Sequence, residues 1–194
     1  MTLVLARALS IVGHPILAMP ASVLVLTLLR GEAQQAWAMA WAFASIAALV
    51  MAYSAWQVRC GQWAHVDASQ HRERRTLNRF LLVVLAAGAL VSLWSDVSRE
   101  FVLGLALSAS MVLVALLTQR WCKLSLHVAF ALFAALLLAL AGMWPLIIGL
   151  AFALLVAWSR LHLQRHTLCD VVAGAAAGFM AGLVFHLAFA SAGG

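Results

Sequence analysis

The sequence predicts an all-α, polytopic membrane helix bundle of about six to seven transmembrane helices. Three observations predict it. Hydrophobic residues make up 66% of the 194-residue chain, while charged residues make up only 9%, against about 25% in a soluble domain. The charges are gathered into short segments. Between those segments lie apolar runs of roughly the 20 residues that a spanning helix needs. The chain is too short for a second domain of any size, so residues 1–194 are read as one integral membrane domain.

The spans follow in order. The first covers about 12 to 30 and stops at Arg30-Gly31-Glu32. The second covers about 36 to 58, and Trp37, Trp41 and Trp56 mark its interfaces. A polar segment at about 59 to 78 holds Arg59, Asp67, Arg72, Glu73, Arg74 and Arg75. The third span covers about 79 to 95, and the acidic turn Asp96 to Glu100 leads to the fourth, about 101 to 118. The basic turn Gln119 to Lys123 precedes the fifth, about 124 to 141, and Gly142-Met143-Trp144-Pro145 reverses the chain into the sixth, about 146 to 158. The seventh covers about 167 to 190 and carries Gly174, Gly178 and Gly182, small residues that permit close helix packing. A cleavable leader is not expected, because His14-Pro15 and Pro20 interrupt the first apolar run and no small-residue cleavage site follows it.

Counting crossings puts the N-terminus and the segments 59–78, 119–123 and 159–166 on one side. That side holds ten cations (Arg7, Arg59, Arg72, Arg74, Arg75, Arg79, Arg120, Lys123, Arg160 and Arg165) and the other holds two, Arg30 and Arg99. The positive-inside rule then puts the polar segments in the cytoplasm and the chain in the inner (cytoplasmic) membrane. The net charge of +6 is assigned to anionic head groups or phosphate substrates and not to nucleic acid, since most of the chain lies in lipid. The three cysteines, Cys60, Cys122 and Cys169, are odd in number and lack metal-ligand spacing, so neither a disulfide framework nor a metal site is expected.

The stretch Ser159 to Asp170 is the anomaly. Residues 143–158 before it and 171–194 after it carry no charge, yet within it stand Ser159, Arg160, His162, Arg165, His166 and Asp170. Charge at a membrane boundary is costly and needs a reason. His166 and Asp170 are four apart and share a helix face. Arg160 lies six residues earlier and can return to the same point. A cation, an imidazole and a carboxylate converging there suit binding and attack of an anion, most plausibly a phosphate.

These residues carry a resemblance. Ser159-Arg160, five residues, His166, three residues and Asp170, followed by Val171 and Gly174, resemble the third signature of the type 2 phosphatidic acid phosphatase superfamily, Ser-Arg-x5-His-x3-Asp. Leu124-Ser125-Leu126-His127 stands where the second signature, Pro-Ser-Gly-His, falls; Ser125 and His127 match it. Near the first signature, Lys-x6-Arg-Pro, only Arg74 matches, with Asp67 and Arg75 at the lysine and proline positions, and Lys123 is expected to supply the missing cation. The resemblance covers about 67 to 178.

It implies a metal-independent membrane lipid phosphatase without cofactor, acting on a phosphomonoester or diphosphate of a lipid or isoprenoid. By chemistry and kinship His166 is the expected nucleophile, Asp170 orients it, and His127 is the general acid and base. Arg160, Arg74, Lys123, Ser125 and Ser159 are the expected phosphate ligands. A lipid phosphotransferase using the same intermediate is the alternative. A non-catalytic membrane protein, either a haem carrier or a lipid-binding scaffold, is the other. Arg165 is read as an interfacial anchor, and His14, His65, His71, His162 and His186 as structural or solvated. Oligomeric state is left open.

Overall fold

The structure, a computed structural model, describes residues 2–64, 70–95 and 97–190. His65, Asp67 and Asp96 lie outside the described residues, as does the side chain of His71. The helices are α1 (Thr2–Val12), α2 (Pro15–Leu29), α3 (Ala33–Arg59), α4 (His71–Leu93), α5 (Arg99–Thr118), α6 (Leu126–Leu137), α7 (Met143–His162) and α8 (Leu168–Ala190). A 3₁₀ turn, Leu138–Ala141, extends α6, and there is no strand among the described residues. The protein is an all-α polytopic bundle. Five helices (α3, α4, α5, α7 and α8) are long and apolar enough to cross a membrane, and the bent pair α1 and α2 makes a sixth if it is counted as one span.

The first span, expected over 12–30, is α2, and an unexpected helix, α1, precedes it. The two meet at Gly13-His14, where α1 leaves α2 at 65°. Pro15 is the cause: its ring disfavours helical backbone at the residue before it, and His14 is extended, at φ −64° and ψ 135°. The His14 ring then caps α2, Nδ1 accepting the Ile16 N–H at 3.3 Å. Gly13 lets α1 lie on α7, since a Cβ there would fall 2.4 Å from Val156 Cγ2. Pro20, in contrast, is carried inside α2 without a break.

Residues 71–78, expected as part of a polar connection, are the first two turns of α4. A capping box starts this helix. Gln70 and Glu73 satisfy each other's backbone N–H groups, and Glu73 Oε1 also accepts the Ala64 N–H at 2.7 Å. Arg74 and Arg75 therefore sit on a helix and not on a loop. Likewise, α7 extends past the expected end at 158, so Ser159 and Arg160 lie in its last turn.

The fifth span is shorter than expected. It begins at Leu126, and with its 3₁₀ turn it ends at Ala141. It is also the core of the bundle. Val128, Ala129, Phe130, Ala131, Phe133, Ala134, Ala135 and Leu137 are all buried, and the enclosed rings of Phe133 and Phe185 meet at 6.2 Å. A helix apolar all round belongs inside a bundle, and α6 packs against α2, α5, α7 and α8.

The expected glycine face of α8 makes this packing possible. Gly174, Gly178 and Gly182 recur every fourth residue along one face. A Cβ on Gly178 would come within 2.3 Å of the Ala129 carbonyl oxygen, and one on Gly182 within 2.3 Å of the Leu136 side chain. At the opposite end from the polar segments, Arg30 Nη1 pairs with Glu100 at 3.1 Å. This joins the end of α2 to the start of α5.

Gly178→Val is expected to destabilise the bundle by about 1–3 kcal/mol, the usual cost of overpacking. Thermal unfolding in detergent should show a lowered midpoint; an unchanged midpoint would mean that α6 and α8 are not in backbone contact.

Candidate active site

The polar motif is a helix end folded back on itself. At the C-terminus of α7 the Gln164 N–H donates to the Leu161 carbonyl at 2.9 Å, and the Arg165 N–H to the Arg160 carbonyl at 3.1 Å. This is a Schellman turn, with its left-handed position at Gln164, φ 53°. The turn consumes the five residues between Arg160 and His166 and brings the histidine back beside the arginine. Thr167 then starts α8: its Oγ1 accepts the Asp170 N–H at 3.3 Å, and Asp170 Oδ2 accepts the Thr167 N–H at 2.9 Å.

Asp170 faces away from open space. Besides capping α8, its Oδ1 accepts the Lys123 N–H at 2.9 Å and the Cys122 thiol at 3.4 Å. Its carbonyl accepts the Ser125 N–H at 3.0 Å. His166 Nδ1 lies 3.5 Å from Oδ2 but 3.1 Å from the Lys123 carbonyl oxygen. A carbonyl can only accept, so Nδ1 carries the proton and Nε2 keeps its lone pair. The tautomer expected from Asp170 is thus set first by a main-chain group, with the carboxylate holding that group in place. The same carboxylate draws the Cys122 thiol into a bond; burial first, then the bonds to Cys169 and Asp170, push that thiol up to about 12.

One cavity of about 970 Å³ receives Arg74, Lys123, His127, Arg160 and His166 at its polar end. Arg160 is buried at 9% exposure. Its Nη1 donates to Ser10 Oγ at 2.5 Å, and its Nε has no hydrogen-bond partner. Lys123 Nζ donates to the Arg165 carbonyl at 3.0 Å. Burial, and next the Arg74 guanidinium, lower the Lys123 ammonium from its usual range. His166 is pushed down to about 4, by burial first and then by Arg160 and Lys123, against the opposing pull of Asp170 and the Lys123 carbonyl. The site gathers several cations at one end of the cavity, so an anion entering it meets donors that are already part-buried.

Two expected ligands are not brought to this cavity. Ser159 is fully enclosed, and its hydroxyl donates to the Val156 carbonyl at 2.7 Å within its own helix. Ser125 is also fully enclosed. Its backbone is pressed on α8 at Gly174, where a Cβ would lie 2.5 Å from the Ser125 carbonyl oxygen. Its Oγ has no partner. Both serines pack helices and do not line the wall.

Other residues do line the wall. Ser10 comes from α1, His14 from the cap of α2, and Arg165 from the turn. The His14 and His127 rings meet edge to face at 5.0 Å. His14 was readable as a helix cap from His-Pro before an apolar run, but nothing local gave its approach to His127. Arg165, expected as an anchor, lines the cavity as well.

Two outcomes follow from this geometry. Gln164→Gly is expected to raise stability by about 1 kcal/mol, because glycine accepts the left-handed turn that costs other residues about that much; a lower unfolding midpoint would contradict the turn. For His166, the folded ring titrates near 4 and the unfolded one near 6.5. Between these values the unfolded chain binds more protons, so the stability that neutral His166 contributes is present above 6.5 and is lost as pH falls toward 4. Wild type should therefore lose midpoint temperature relative to His166→Gln across that window, and a constant difference would place the ring in solvent.

No family model, no curated protein and no solved structure matches this chain. The function has to be read from the chemistry of its own residues.

Proposed function

We propose that the protein is an integral membrane lipid phosphatase that hydrolyses a phosphomonoester or diphosphate of a lipid or isoprenoid through a phosphohistidine. One observation carries the reading: a single cavity is cationic at one end and lined mostly by apolar residues beyond it, as far as the Arg30–Glu100 pair, and His166 lines its cationic end with Nδ1 engaged by a carbonyl. A lipid phosphate has that same division of polarity. The similarity of the Arg160, His166 and Asp170 spacing to the type 2 phosphatidic acid phosphatase signature points the same way.

In this reading Arg160 binds the phosphate oxygens through Nε and its remaining N–H groups, with Arg74 and Lys123 adding charge. Nε2 of His166 attacks phosphorus, and the bond from phosphorus to the lipid oxygen breaks. His127, charged by the proton that enters on the phosphate monoanion, gives that proton to the leaving oxygen, then takes one from water as that water attacks the phosphohistidine. Inorganic phosphate leaves and His166 is restored. The nucleophile must be a neutral imidazole, and His166 is neutral at pH 7. The cation excess near the site supports a cytoplasmic opening by the positive-inside rule.

A phosphate-release panel of phosphatidic acid, phosphatidylglycerophosphate and isoprenyl mono- and diphosphates, in detergent micelles, tests the proposal. His166→Ala should abolish release, and His127→Ala should lower it about 10²–10⁴-fold. Arg160→Lys should cost about 10²–10³-fold, because a fork of donors becomes a point charge. Turnover retained in His166→Ala would end the phosphohistidine assignment. Phosphate recovered on an acceptor lipid and not as the free anion would make the protein a phosphotransferase.

A further inference from the structure

The cavity continues beyond the cationic cluster. It follows α2 down the bundle to Arg30 and Glu100, the ion pair at the far end. α2 measures the distance. Its cap residues, His14 and Arg30, are sixteen residues apart, or about 24 Å at 1.5 Å per residue. A bilayer's hydrocarbon core is about 30 Å thick, so one leaflet supplies about 15 Å. A chain that starts at Arg160 and follows α2 passes the bilayer midplane.

The wall between the ends is mostly hydrocarbon. Met19, Val23, Phe43, Leu81 and Phe130 line it. The two hydroxyls there are already used: Ser108 Oγ donates to the Gly104 carbonyl at 2.7 Å, and Thr27 Oγ1 to the Val23 and Leu24 carbonyls at 3.0 Å. Space near the far end is kept open by Gly104, one turn from Glu100 on α5. A Cβ there would meet nothing within 4 Å. Glycine in a helix interior costs about 1 kcal/mol relative to alanine, so its presence against an open shaft is informative.

We infer that this shaft holds the hydrocarbon chain of the anionic lipid, a single chain longer than one leaflet, and that Gly104 and the Arg30–Glu100 pair set the greatest length it accepts. Charge complementarity ties the occupant to the site. The anionic head belongs at the cationic end, and among the described residues the cavity continues from that end along a mostly apolar wall. The inference rests on the reading of that end as a phosphate site.

The test uses the full chain in detergent, with dodecyl, hexadecyl and docosyl phosphate as substrates and the matching alkyl phosphonates, whose carbon–phosphorus bond is not hydrolysed, as ligands. In wild type, phosphate release should rise with chain length. In Gly104→Phe, whose ring would fill the far end, the ratio of docosyl to dodecyl release should fall at least about tenfold. Gly104→Leu replaces it if the phenylalanine variant does not assemble. An unchanged ratio in a folded variant overturns the shaft and leaves the phosphatase reading standing. If wild type releases no phosphate from any lipid, the phosphatase reading falls and the phosphonates decide the shaft alone. Thermal stabilisation by docosyl phosphonate that is lost in the Gly104 variant supports it, and equal stabilisation of both proteins overturns it.

Discussion

The Asp170 carboxylate is the constraint on which the polar end of this bundle depends. It caps α8 through Thr167, and across the interface it holds Cys122 and Lys123. These are part-buried bonds, where a backbone donor left unpaired costs about 1–3 kcal/mol. The clasp fixes the Lys123 carbonyl, and that carbonyl fixes the His166 ring. A carboxylate whose hydrogen-bond capacity goes largely to backbone can position a histidine without itself facing the substrate. This differs from a simple dyad, because here the main chain is the middle member.

The cations around this clasp have a different logic. Arg160 is enclosed and donates from Nη1 to Ser10, while Lys123 is spent on the Arg165 carbonyl. Holding them close costs electrostatic energy that the fold must supply elsewhere. The supply comes from the packing of α6 inside the bundle, and of α8 on it through glycines that admit backbone contact. Strain is present in the motif as well: Gln164 holds a left-handed conformation beside the cavity. Strained and like-charged groups gathered at one point are typical of sites where binding energy is to be recovered from a ligand.

Much of the architecture was legible in the sequence because lipid leaves few options for backbone groups. The spans, the tight reversal before α7 and the small face of α8 follow from hydropathy and residue size. What was not legible came from local chemistry competing with hydropathy. Pro15 and His14 separate the expected first span from an unexpected helix before it, at 65°. Gln70 and Glu73 drew a charged segment into α4. In the site, Arg160, His166, His127, Lys123 and Arg74 were legible by residue type and spacing and do line one cavity. Ser125 and Ser159 were legible as motif positions but not as buried packing residues, because burial is decided by the helix each one faces. Ser10 and His14 were invisible: their approach to Arg160 and His127 is a tertiary event between residues more than one hundred positions apart.

The segment Leu124 to His127 reaches its conformation without the turn residues of the signature it resembles. Leucines at 124 and 126 stand where the resembled signature has proline and glycine, residues that usually mark a turn needing special backbone angles. Here no such angles are required. Ser125 is extended, at φ −80° and ψ 96°, and Leu126 opens α6; Gln164 is the sole non-glycine residue with positive φ among those described. The close approach comes from the other partner: Gly174 on α8 admits the Ser125 backbone, and the Ser125 N–H donates to the Asp170 carbonyl. A leucine at 126 then costs nothing in the turn and lines the cavity as an apolar residue. The change lies in the wall next to His127 and leaves the position of His127 to the contact between α6 and α8.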